Sequence, residues 1–524
     1  MARRVSVSKT EFMQHQRCER LPWLNQQQNL ERDRQVDEST QSPVLSHFRN
    51  HDGYVVESYA EQLFPGAVRV DEFGFDALNQ TSQSVHGKAH AILQPSAQSL
   101  GNYARADILS RIPRSSVNPA HREFLKESYQ SVYGSPFALN EVKSTASVKP
   151  EHIRDLAFQL HVFRKAGINV QQTNLIHVNS EYVRNGEIDP SQFLITVDVT
   201  DQVLQVLDQV VDQIPAVHST LNSPTSPDVT IYAQCNHRSN NAACPHISLC
   251  WSELPQGPIQ LLPYISKQSK KFFEYISEGR TAITDLDPLD KRITKSQRPI
   301  VEAYKQDGPV INLLEIQKFL DKIDTTLPIS FIDFETFESA IPLNGAKPFQ
   351  THLIQFSSAV LSVNGDMTDF NYISSRLEDV SQEFAEKLLD SVADTGVVLV
   401  WHASFEKQKI AMLADNVPSL SSQLLSLNDR ILDLKVPFSK GGYVDKRFNA
   451  SFSLKKVLPV LAPDLSYSEL TVNNGSQVGS QWLEMVQSTD PKVKYKIMSD
   501  LKTYCALDTT GMVRIYQELQ SLMG

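Results

Sequence analysis

The sequence has no long apolar run: none approaches the roughly 18 consecutive apolar residues that a membrane-spanning helix requires. Charged residues interrupt the start of the chain, MARRVSVSKTEF, so the hydrophobic stretch of a signal peptide is missing there. Basic residues are not in excess either. The formal net charge of −10 disfavours a protein whose whole surface binds nucleic acid, although local basic patches remain compatible with it. We therefore expect a cytoplasmic protein that does not contact membranes.

Cysteine is scarce, and its odd number of five does not indicate a disulfide framework in a cytoplasmic chain. Internal repeats and long low-complexity tracts are missing as well. What is present is an ordinary globular composition, 41% hydrophobic and 21% charged. The 524 residues are too many for one hydrophobic core, so two or three domains are expected.

Three regions differ in their patterns, and together they predict an α/β fold. Residues 1–255 mix amphipathic helices with short β-rich runs such as ARADIL and FALNEVKS. Residues 256–325 contain few strand patterns and several prolines, which predicts a helical connector. Residues 326–524 alternate strands with helices and end in a long helix from about Pro491, which predicts a layered α/β domain.

In the last region, acidic residues occur at the spacings that place side chains on one face of a strand or helix. In FIDFET, Asp333 and Glu335 are two residues apart on a predicted strand, so both side chains point to one face. Adjacent carboxylates remain ionised together only beside cations, and a hard divalent ion is the natural partner. Further on, Tyr504 and Asp508 are four residues apart on a predicted helix and share its face.

In this order, the two motifs resemble the tyrosine subtype of the DEDD exonuclease superfamily, which has an RNase H-like fold. The resemblance covers about the last 195 residues. It implies a 3′–5′ exonuclease in which Asp333, Glu335 and Asp508 hold two Mg²⁺ or Mn²⁺ ions and Tyr504 positions the water. The family's middle motif is usually Asn-x-x-x-Asp. Here Glu406 stands at that place, and Asp433 is a competing candidate.

A second set of residues lies in the first region. Asp107 ends the strand-like run ARAD, Glu141 and Lys143 share one face of a predicted strand, and Gln159 follows on a helix. This order resembles the RecB-like branch of the PD-(D/E)XK nucleases, with their restriction-endonuclease-like fold. The resemblance implies that Asp107 and Glu141 bind metal and that Lys143 stabilises charge or assists the water. Glu57, in an early helix, matches the acidic position that these enzymes carry upstream.

Four of the cysteines flank this first region. Cys18 precedes it, and Cys235, Cys244 and Cys250 follow it, with gaps of eight and five residues. One cysteine before and three after the nuclease core resemble the iron–sulfur staple of RecB-like exonucleases, which implies a [4Fe–4S] cluster. A zinc site is the main alternative, although zinc ligands are typically spaced by two to four residues. The other alternative is that the four cysteines are buried and bind no metal. Cys505 is expected to pack as a small apolar residue.

The predicted connector contains basic residues interleaved with aromatic ones. They could grip a single nucleic-acid strand, or they could form a solvated helix face above buried aromatics. The residues concerned are Lys267, Lys270, Lys271, Phe272, Phe273, Tyr275, Lys291, Arg292, Lys295 and Arg298.

As a whole, the chain resembles bacterial proteins that fuse a RecB-like nuclease to a DEDD-type exonuclease domain. The resemblance rests on SKTEFMQHQRCERLPWL, EVKS, the cysteine trio, DFETF, SFEK, KKVLP and YCALDT. It implies phosphodiester hydrolysis, with DNA favoured over RNA as substrate, in DNA repair or in defence against foreign DNA. Two other functions stay open: a nucleic-acid-binding protein with one or both sites inactive, and a ribonuclease. Protein partners are not indicated.

Overall fold

Mixed α/β architecture, as the sequence predicts, occurs in both of the units into which the chain divides. The computed structural model describes residues 6–32, 44–128, 134–232, 235, 244–265, 269–468, 470–472 and 475–524. The first unit contains Met1–Thr230 together with Ser339–Gln350, and the second contains Ile231–Glu338 together with Thr351–Gly524.

The first unit is built on two sheets. The larger has six strands in the spatial order β2 (Val68–Arg69), β3 (Ala91–Leu93), β6 (Ile108–Arg111), β7 (Phe137–Lys143), β8 (Val170–Val178) and β9 (Leu194–Asp198). The smaller has three, in the order β1 (Val7–Ser8), β5 (Asn102–Arg105) and β4 (Ser96–Ser99). The strand predicted in FALNEVKS is confirmed as β7, which pairs in parallel with β8 and antiparallel with β6.

Helices cover both faces of the larger sheet. The helices of this unit are α1 (Lys9–Arg17), α2 (Arg20–Arg32), α3 (Val44–Glu61), α4 (Gly74–His86), α5 (Pro119–Ser128), α6 (Pro150–Lys165), α7 (Pro190–Phe193) and α8 (Thr200–Leu221). Because side chains alternate along β8, Leu175 joins a core with α6 and α8, whereas Ile176 joins a core with α3. The helix predicted to carry Gln159 is confirmed as α6.

The second unit has a five-stranded sheet in the order β13 (Met367–Ile373), β12 (His352–Leu361), β11 (Ile329–Phe337), β14 (Val398–Val400) and β15 (Ile431–Asp433). The pairs β13–β12 and β12–β11 are antiparallel, and β11–β14 and β14–β15 are parallel. A separate antiparallel pair joins β10 (Val310–Ile311) to β16 (Tyr443–Val444). The strands predicted in PISFIDFET, HLIQFSSAVLSV and GVVLVWHA are therefore confirmed.

The helices of this unit are α9 (Ile247–Trp251), α10 (Lys270–Ser277), α11 (Arg298–Lys305), α12 (Leu313–Leu320), α13 (Ser381–Asp390), α14 (Ala403–Asn416), α15 (Ser421–Asp429), α16 (Val436–Ser439), α17 (Leu454–Leu461), α18 (Gly475–Gln487) and α19 (Pro491–Ser521). Ile332 and Phe334 of β11 pack in a core with side chains of α13, α14 and α15. The predicted long final helix is confirmed as α19.

Residues 256–325, predicted as a connector, belong to the second unit, where α10 and α11 share a hydrophobic core with β16. Of the three aromatics, Phe272 and Tyr275 are completely buried and Phe273 is 45% exposed, and Arg292 binds Glu278 and Asp290 at 2.6 and 2.7 Å. These contacts favour a solvated helix face above buried aromatics over a strand-gripping surface. Lys267 lies outside the described residues.

Ser339–Gln350 joins β11 to β12 in sequence, yet it belongs to the first unit. Within that unit, Ser339 Oγ donates a hydrogen bond of 2.9 Å to Asp52, and the main-chain N–H of Arg184 donates to Ala346 O at 3.1 Å. No pattern in the sequence indicates that this segment belongs to the first unit. Within the described part of the chain, every helix is too short or too polar to cross a membrane.

Candidate functional sites

Strand β11 positions the first two acidic side chains of the second unit. Asp333 and Glu335 alternate with the core residues Ile332 and Phe334, so they point away from the core formed with α13 to α15. A β-bulge follows between Glu335 and Thr336, where the register against β12 shifts. Bulges redirect side chains and often lie beside active sites. Here the bulge changes the pairing directly after the second carboxylate.

Helix α19 is fixed over this face of the sheet by β12. Gln355 and Ser357 donate side-chain hydrogen bonds of 2.9 and 2.6 Å to main-chain carbonyls of α19. The same two residues pair across the sheet with Glu335 and Asp333. The helix is therefore held beside both carboxylates, and its one-turn spacing brings Tyr504 and Asp508 to the same side.

Asp333, Glu335 and Asp508 form the candidate metal centre. One ligand oxygen from each lies within 4.8 Å of the other two. No other three histidine, cysteine or acidic side chains among the described residues come together in this way. Carboxylate oxygens are the ligands that hard divalent ions such as Mg²⁺ prefer. The structure thus brings together the three residues that the sequence assigns to this site.

Burial and mutual repulsion make these carboxylates difficult to ionise without a cation. Burial raises the pKa of Asp333 well above its usual range, and the negative charge of Asp508 raises it further. The pKa of Glu335 is raised for the same two reasons. Burial also raises the pKa of Asp508, to about 6, although a hydrogen bond from Tyr467 opposes the shift. A bound divalent ion would offset this repulsion.

The structure distinguishes the two residues proposed for the middle motif. Glu406, in the first turn of α14, is 4% exposed, and its Oε2 has no hydrogen-bond partner among the described residues. Burial raises its pKa, and the charges of Glu335 and Asp508 add to the effect. Both carboxylate oxygens of Asp433, in contrast, accept main-chain N–H groups, at 3.2 and 3.0 Å. A buried, unsatisfied carboxylate beside the candidate metal centre fits an additional ligand, and this favours Glu406.

Two further residues of this site were not predicted. Tyr467 donates a hydrogen bond to Asp508 Oδ1. The ammonium of Lys455, in α17, lies 4.8 Å from the ring centroid of Tyr504 and 5.3 Å from that of Tyr467. The segment SLKKVL resembled a family motif, but nothing in its spacing singled out Lys455. Tyr467 lies in a loop, where no periodicity could have indicated it.

The run ARAD predicted that Asp107 ends a strand. This prediction is wrong, because in the first unit Asp107 lies in the bend between β5 and β6. The reason is that β5 belongs to the smaller sheet and β6 to the larger, so the chain turns between them. Asp107 Oδ2 accepts the main-chain N–H of Val142 at 2.7 Å. Burial raises the pKa of Asp107 to about 8, and the charge of Glu141 contributes.

Glu141 is the centre of a charged network. Its Oε1 accepts hydrogen bonds from Lys143 at 2.6 Å and Lys9 at 2.9 Å, and its Oε2 accepts one from Gln159 at 2.8 Å. Lys143 and Gln159 also bind Asp155, at 2.9 and 2.8 Å. Burial alone would raise the pKa of Glu141, but the two lysines hold it below its usual range. Thus Glu141, Lys143 and Gln159 meet as the sequence predicts.

Lys9 and Asp155 are members of this network that the sequence did not identify. Lys9 is the first residue of α1, whose start is fixed by a capping box between Ser8 and Glu11. The capping pattern is visible in the sequence, but the partner of Lys9 is 132 residues away. Asp155 lies four residues before Gln159 on α6, so helical spacing could have indicated it.

Glu57, in α3, lies near this network. It accepts a hydrogen bond from the amide of Gln94, which in turn accepts one from Arg105 at 2.9 Å. Burial raises the pKa of Glu57, and the charge of Glu141 adds to the shift. In the described part of the first unit, no three acidic side chains meet within 4.8 Å of one another.

None of the five cysteines, all of which the structure describes, forms a disulfide. Cys18 is the C-cap of α1, and Cys250 lies in α9. Residues 236–243, between Cys235 and Cys244, lie outside the described residues. Just after Cys18, Arg20 and Trp23 donate hydrogen bonds to the carbonyls of Pro227 and Ser223, at 2.9 and 3.0 Å. The start of the chain is thus tied to the segment that leads toward Cys235. Cys505 is buried, as expected.

Comparison with known proteins adds one finding. Residues 330–453 match the model of a family described as a domain of unknown function, DUF2779. The match includes Asp333, Glu335 and Glu406, and it ends before Tyr504 and Asp508. No curated protein matches the chain.

Proposed function

We propose that this chain is a metal-dependent nuclease with a 3′–5′ exonuclease site of the DEDD type in its second unit and another nuclease site in its first. The observation that carries the proposal is the group of Asp333, Glu335 and Asp508, whose ligand oxygens lie within 4.8 Å of one another. Burial raises the pKa of all three carboxyl groups, the charge of Asp508 raises those of Asp333 and Glu335 further, and such perturbed groups concentrate at functional sites. Their oxygens fit Mg²⁺ or Mn²⁺.

The strand order of the second unit supports an RNase H-like fold for this site. Numbered along the chain within the sheet, the order β13-β12-β11-β14-β15 reads 3-2-1-4-5, with three antiparallel strands followed by two parallel ones. Acidic residues on the central first strand, at the start of the helix after the fourth, and on the last helix match the order of the DEDD motifs. Glu406 supplies the acidic position between the other two motifs.

Bound divalent ions would supply Lewis-acid stabilisation and a water of lowered pKa. Asp333, Glu335 and Asp508 would hold them, with Glu406 as an additional ligand. Burial raises the pKa of Tyr504 above its usual range, so its hydroxyl stays protonated and can donate a hydrogen bond that orients the attacking water. The ammonium of Lys455 can stabilise negative charge that develops on the phosphoryl group.

For the first unit we propose a RecB-like PD-(D/E)XK nuclease. Asp107 and Glu141 would bind a divalent ion, and Lys143 would stabilise charge on the phosphate. Gln159 donates to Glu141 Oε2 and thereby orients the carboxylate. For an ion to reach Glu141 Oε1, Lys9 or Lys143 has to release that oxygen.

We also propose that Cys18, Cys235, Cys244 and Cys250 bind a [4Fe–4S] cluster with a structural role, zinc being the alternative. None of the four sulfurs is in a disulfide, which is compatible with metal ligation and with the cytoplasmic location that we propose. The hydrogen bonds of Arg20 and Trp23 to the segment before Cys235 support a cluster that links the region of Cys18 to the later cysteines.

A second function is favoured by one observation. Both oxygens of Glu141 are already occupied, one of them by two ammonium groups, so the first unit could be a nucleic-acid-binding module without catalysis. As substrate, DNA is favoured over RNA on the resemblance to RecB-like enzymes, in repair or in defence against foreign DNA. A ribonuclease is the competing form of the same chemistry.

A substrate panel tests the proposal. Single-stranded DNA, duplex DNA and RNA, each labelled at one end, are incubated with the full chain and Mg²⁺ or Mn²⁺. We expect shortening from the 3′ end that EDTA and Asp333→Ala abolish, because the central carboxylate of the group is lost. Asp366→Ala, which changes an exposed aspartate in the turn after β12, is the matched control and should remain active. Undiminished 3′ digestion by Asp333→Ala would refute the assignment.

A further inference from the structure

A groove of about 510 Å³ opens on the first unit beside the network around Glu141. Tyr54 and Glu57 of α3 line one side, and Phe73 and Arg105 are among the residues that complete it. Tyr54 is 71% exposed and Phe73 is 76% exposed. Large aromatic side chains exposed in the same groove contribute little to folding, and exposed apolar groups that cluster usually mark a binding site.

The ring of Phe73 packs against a cation on one of its faces. The guanidinium of Arg105 stacks against it, 4.5 Å from the ring centroid. That guanidinium is itself fixed, because it donates hydrogen bonds to Gln94 Oε1 at 2.9 Å, Glu72 O at 3.0 Å and Val70 O at 2.8 Å. Phe73 therefore has one face covered by an anchored cation, and most of its surface remains open to solvent.

The groove adjoins the chain segment that carries Asp107 of the acidic site. Arg105 is two residues before Asp107 in the chain, at the point where it passes from β5 to β6. Gln94 and Glu57 also line the groove; Gln94 donates its main-chain N–H to Asp107 O at 2.8 Å, and its side-chain amide donates to Glu57. A ligand bound in the groove would therefore lie next to residues that contact the main chain of Asp107.

The charges in the groove select the kind of ligand. Arg69 is paired with Glu61 and lies 4.0 Å from Asp71, and Arg105 is committed to its hydrogen bonds. The groove consequently offers no surplus of cations to a phosphate backbone, whereas it offers aromatic faces. Bases stack on aromatic side chains irrespective of sequence, but a duplex keeps its base faces covered.

We propose that Phe73 and Tyr54 form a base-stacking platform that receives single-stranded nucleic acid at the entrance to the first unit's acidic site. The inference rests on the nuclease function proposed above and specifies the substrate class of that site. It also assigns a role to an aromatic surface outside the predicted connector, where Phe272 and Tyr275 are buried and Phe273 is 45% exposed.

Equilibrium binding tests the platform without requiring cleavage. The full chain, with Ca²⁺ in place of Mg²⁺, is titrated into a short single strand that carries 2-aminopurine and into the same sequence as a blunt duplex. We expect tighter binding of the single strand and quenching of the 2-aminopurine on stacking. Phe73→Ala and Tyr54→Ala should each weaken single-strand binding about tenfold, which is within the range for loss of one stacked base. Phe73→Leu should lose the quenching although it keeps an apolar side chain.

The control is Tyr495→Ala, which removes a tyrosine of the second unit that is 77% exposed, and it should bind as the unaltered chain does. Thermal melting establishes that each variant is folded. Unchanged single-strand affinity of folded Phe73→Ala overturns the proposal, as does an equal loss for strand and duplex. A change of oligomeric state in Phe73→Ala with unchanged strand binding also overturns it, because the surface would then contact a second copy. If single-strand binding behaves as expected but no oligonucleotide is cleaved, the platform stands and the nuclease function fails.

Discussion

The carboxylates of the candidate metal centre make the stability of the second unit depend on pH and on divalent ions. The folded-state pKa of Asp508 is raised from 3.8 to about 6, and those of Asp333 and Glu335 are raised well above their usual values. A carboxyl group whose pKa is raised by folding stabilises the fold while it is protonated. Its contribution is lost as the pH rises from the unfolded-state pKa through the folded-state pKa.

We therefore predict that, in EDTA, the melting temperature falls between about pH 5 and about pH 8 and that Mg²⁺ restores it most at the higher pH. Calorimetric melting across this range, with and without Mg²⁺, measures the effect. Asp508→Asn should weaken the pH dependence, because it removes one titrating carboxyl group and the charge that raises the pKa values of Asp333 and Glu335. An equal stabilisation by Mg²⁺ at both pH values would contradict the prediction.

Glu406 and Asp433 provide a second test at the scale of single residues, because only one of them has a free oxygen. We predict that Glu406→Gln lowers exonuclease activity at least tenfold and weakens Mn²⁺ binding by titration calorimetry, with little loss of stability. Asp433→Asn should instead lower the free energy of unfolding by about 1 kcal/mol, because a charged acceptor of two main-chain N–H groups is lost. The reverse pattern would make Asp433 the ligand.

At the scale of elements, the sequence was most informative where one periodicity decides the geometry. Alternation along β11 placed Asp333 and Glu335 on one face, and helical spacing placed Tyr504 beside Asp508. The sequence could not distinguish between Glu406 and Asp433, because the distinction depends on main-chain N–H groups contributed by the first residue of α14 and by the turn after β15. Nor could it pair Lys9 with Glu141, because local patterns carry no information on contacts between distant segments.

Helix α1 connects the start of the chain to the network of the first unit. Its capping box places Lys9 at the first helical position, and β1 pairs in parallel with β5 just before it. We predict that Lys9→Met lowers cleavage by the first site at least tenfold, because one of two cations on Glu141 is lost. Rates should be measured in the Asp333→Ala background, where only the first site can act.

Lys88→Met, which changes an exposed lysine after α4, is the matched control and should have no effect. The same background contains a stability test. Lys9→Met and Lys143→Met should shift the unfolding midpoint by similar amounts, because each leaves Glu141 with one ammonium partner. Cleavage that is unaffected by Lys9→Met would limit this lysine to a structural role.

For the whole molecule, the proposed cluster would join distant parts of the sequence through one bound group. Anaerobic purification should yield a brown protein with broad absorption near ~400 nm if four thiolates hold a [4Fe–4S] cluster. Cys244→Ser should lose the iron and lower the melting temperature, since metal binding is coupled to folding. Cys505→Ser, outside the proposed ligand set, is the control for iron content. Stoichiometric zinc without iron would support the alternative.

The two acidic sites differ in what surrounds their carboxylates. In the first unit, the ammonium groups of Lys9 and Lys143 donate hydrogen bonds to Glu141. In the second unit, three carboxylate oxygens lie within 4.8 Å of one another. Each site also has its own acidic residues, and about 190 residues separate Lys143 from Asp333 in the chain. These features favour two independent catalysts in one polypeptide.

If the two sites act independently, each single variant should lose one cleavage activity and keep the other. Lys143→Ala should remove one cleavage activity and spare 3′ digestion, because it removes charge stabilisation from the first site and leaves the carboxylates of the second intact. Asp333→Ala should do the opposite, and the double variant should be inert on end-labelled single strands, duplexes and RNA. If Lys143→Ala changes nothing on any substrate, the first unit is a binding module. If it abolishes both activities in a folded protein, the sites are coupled, and the segment Ser339–Gln350 is the next target, because it joins β11 to β12 yet belongs to the first unit.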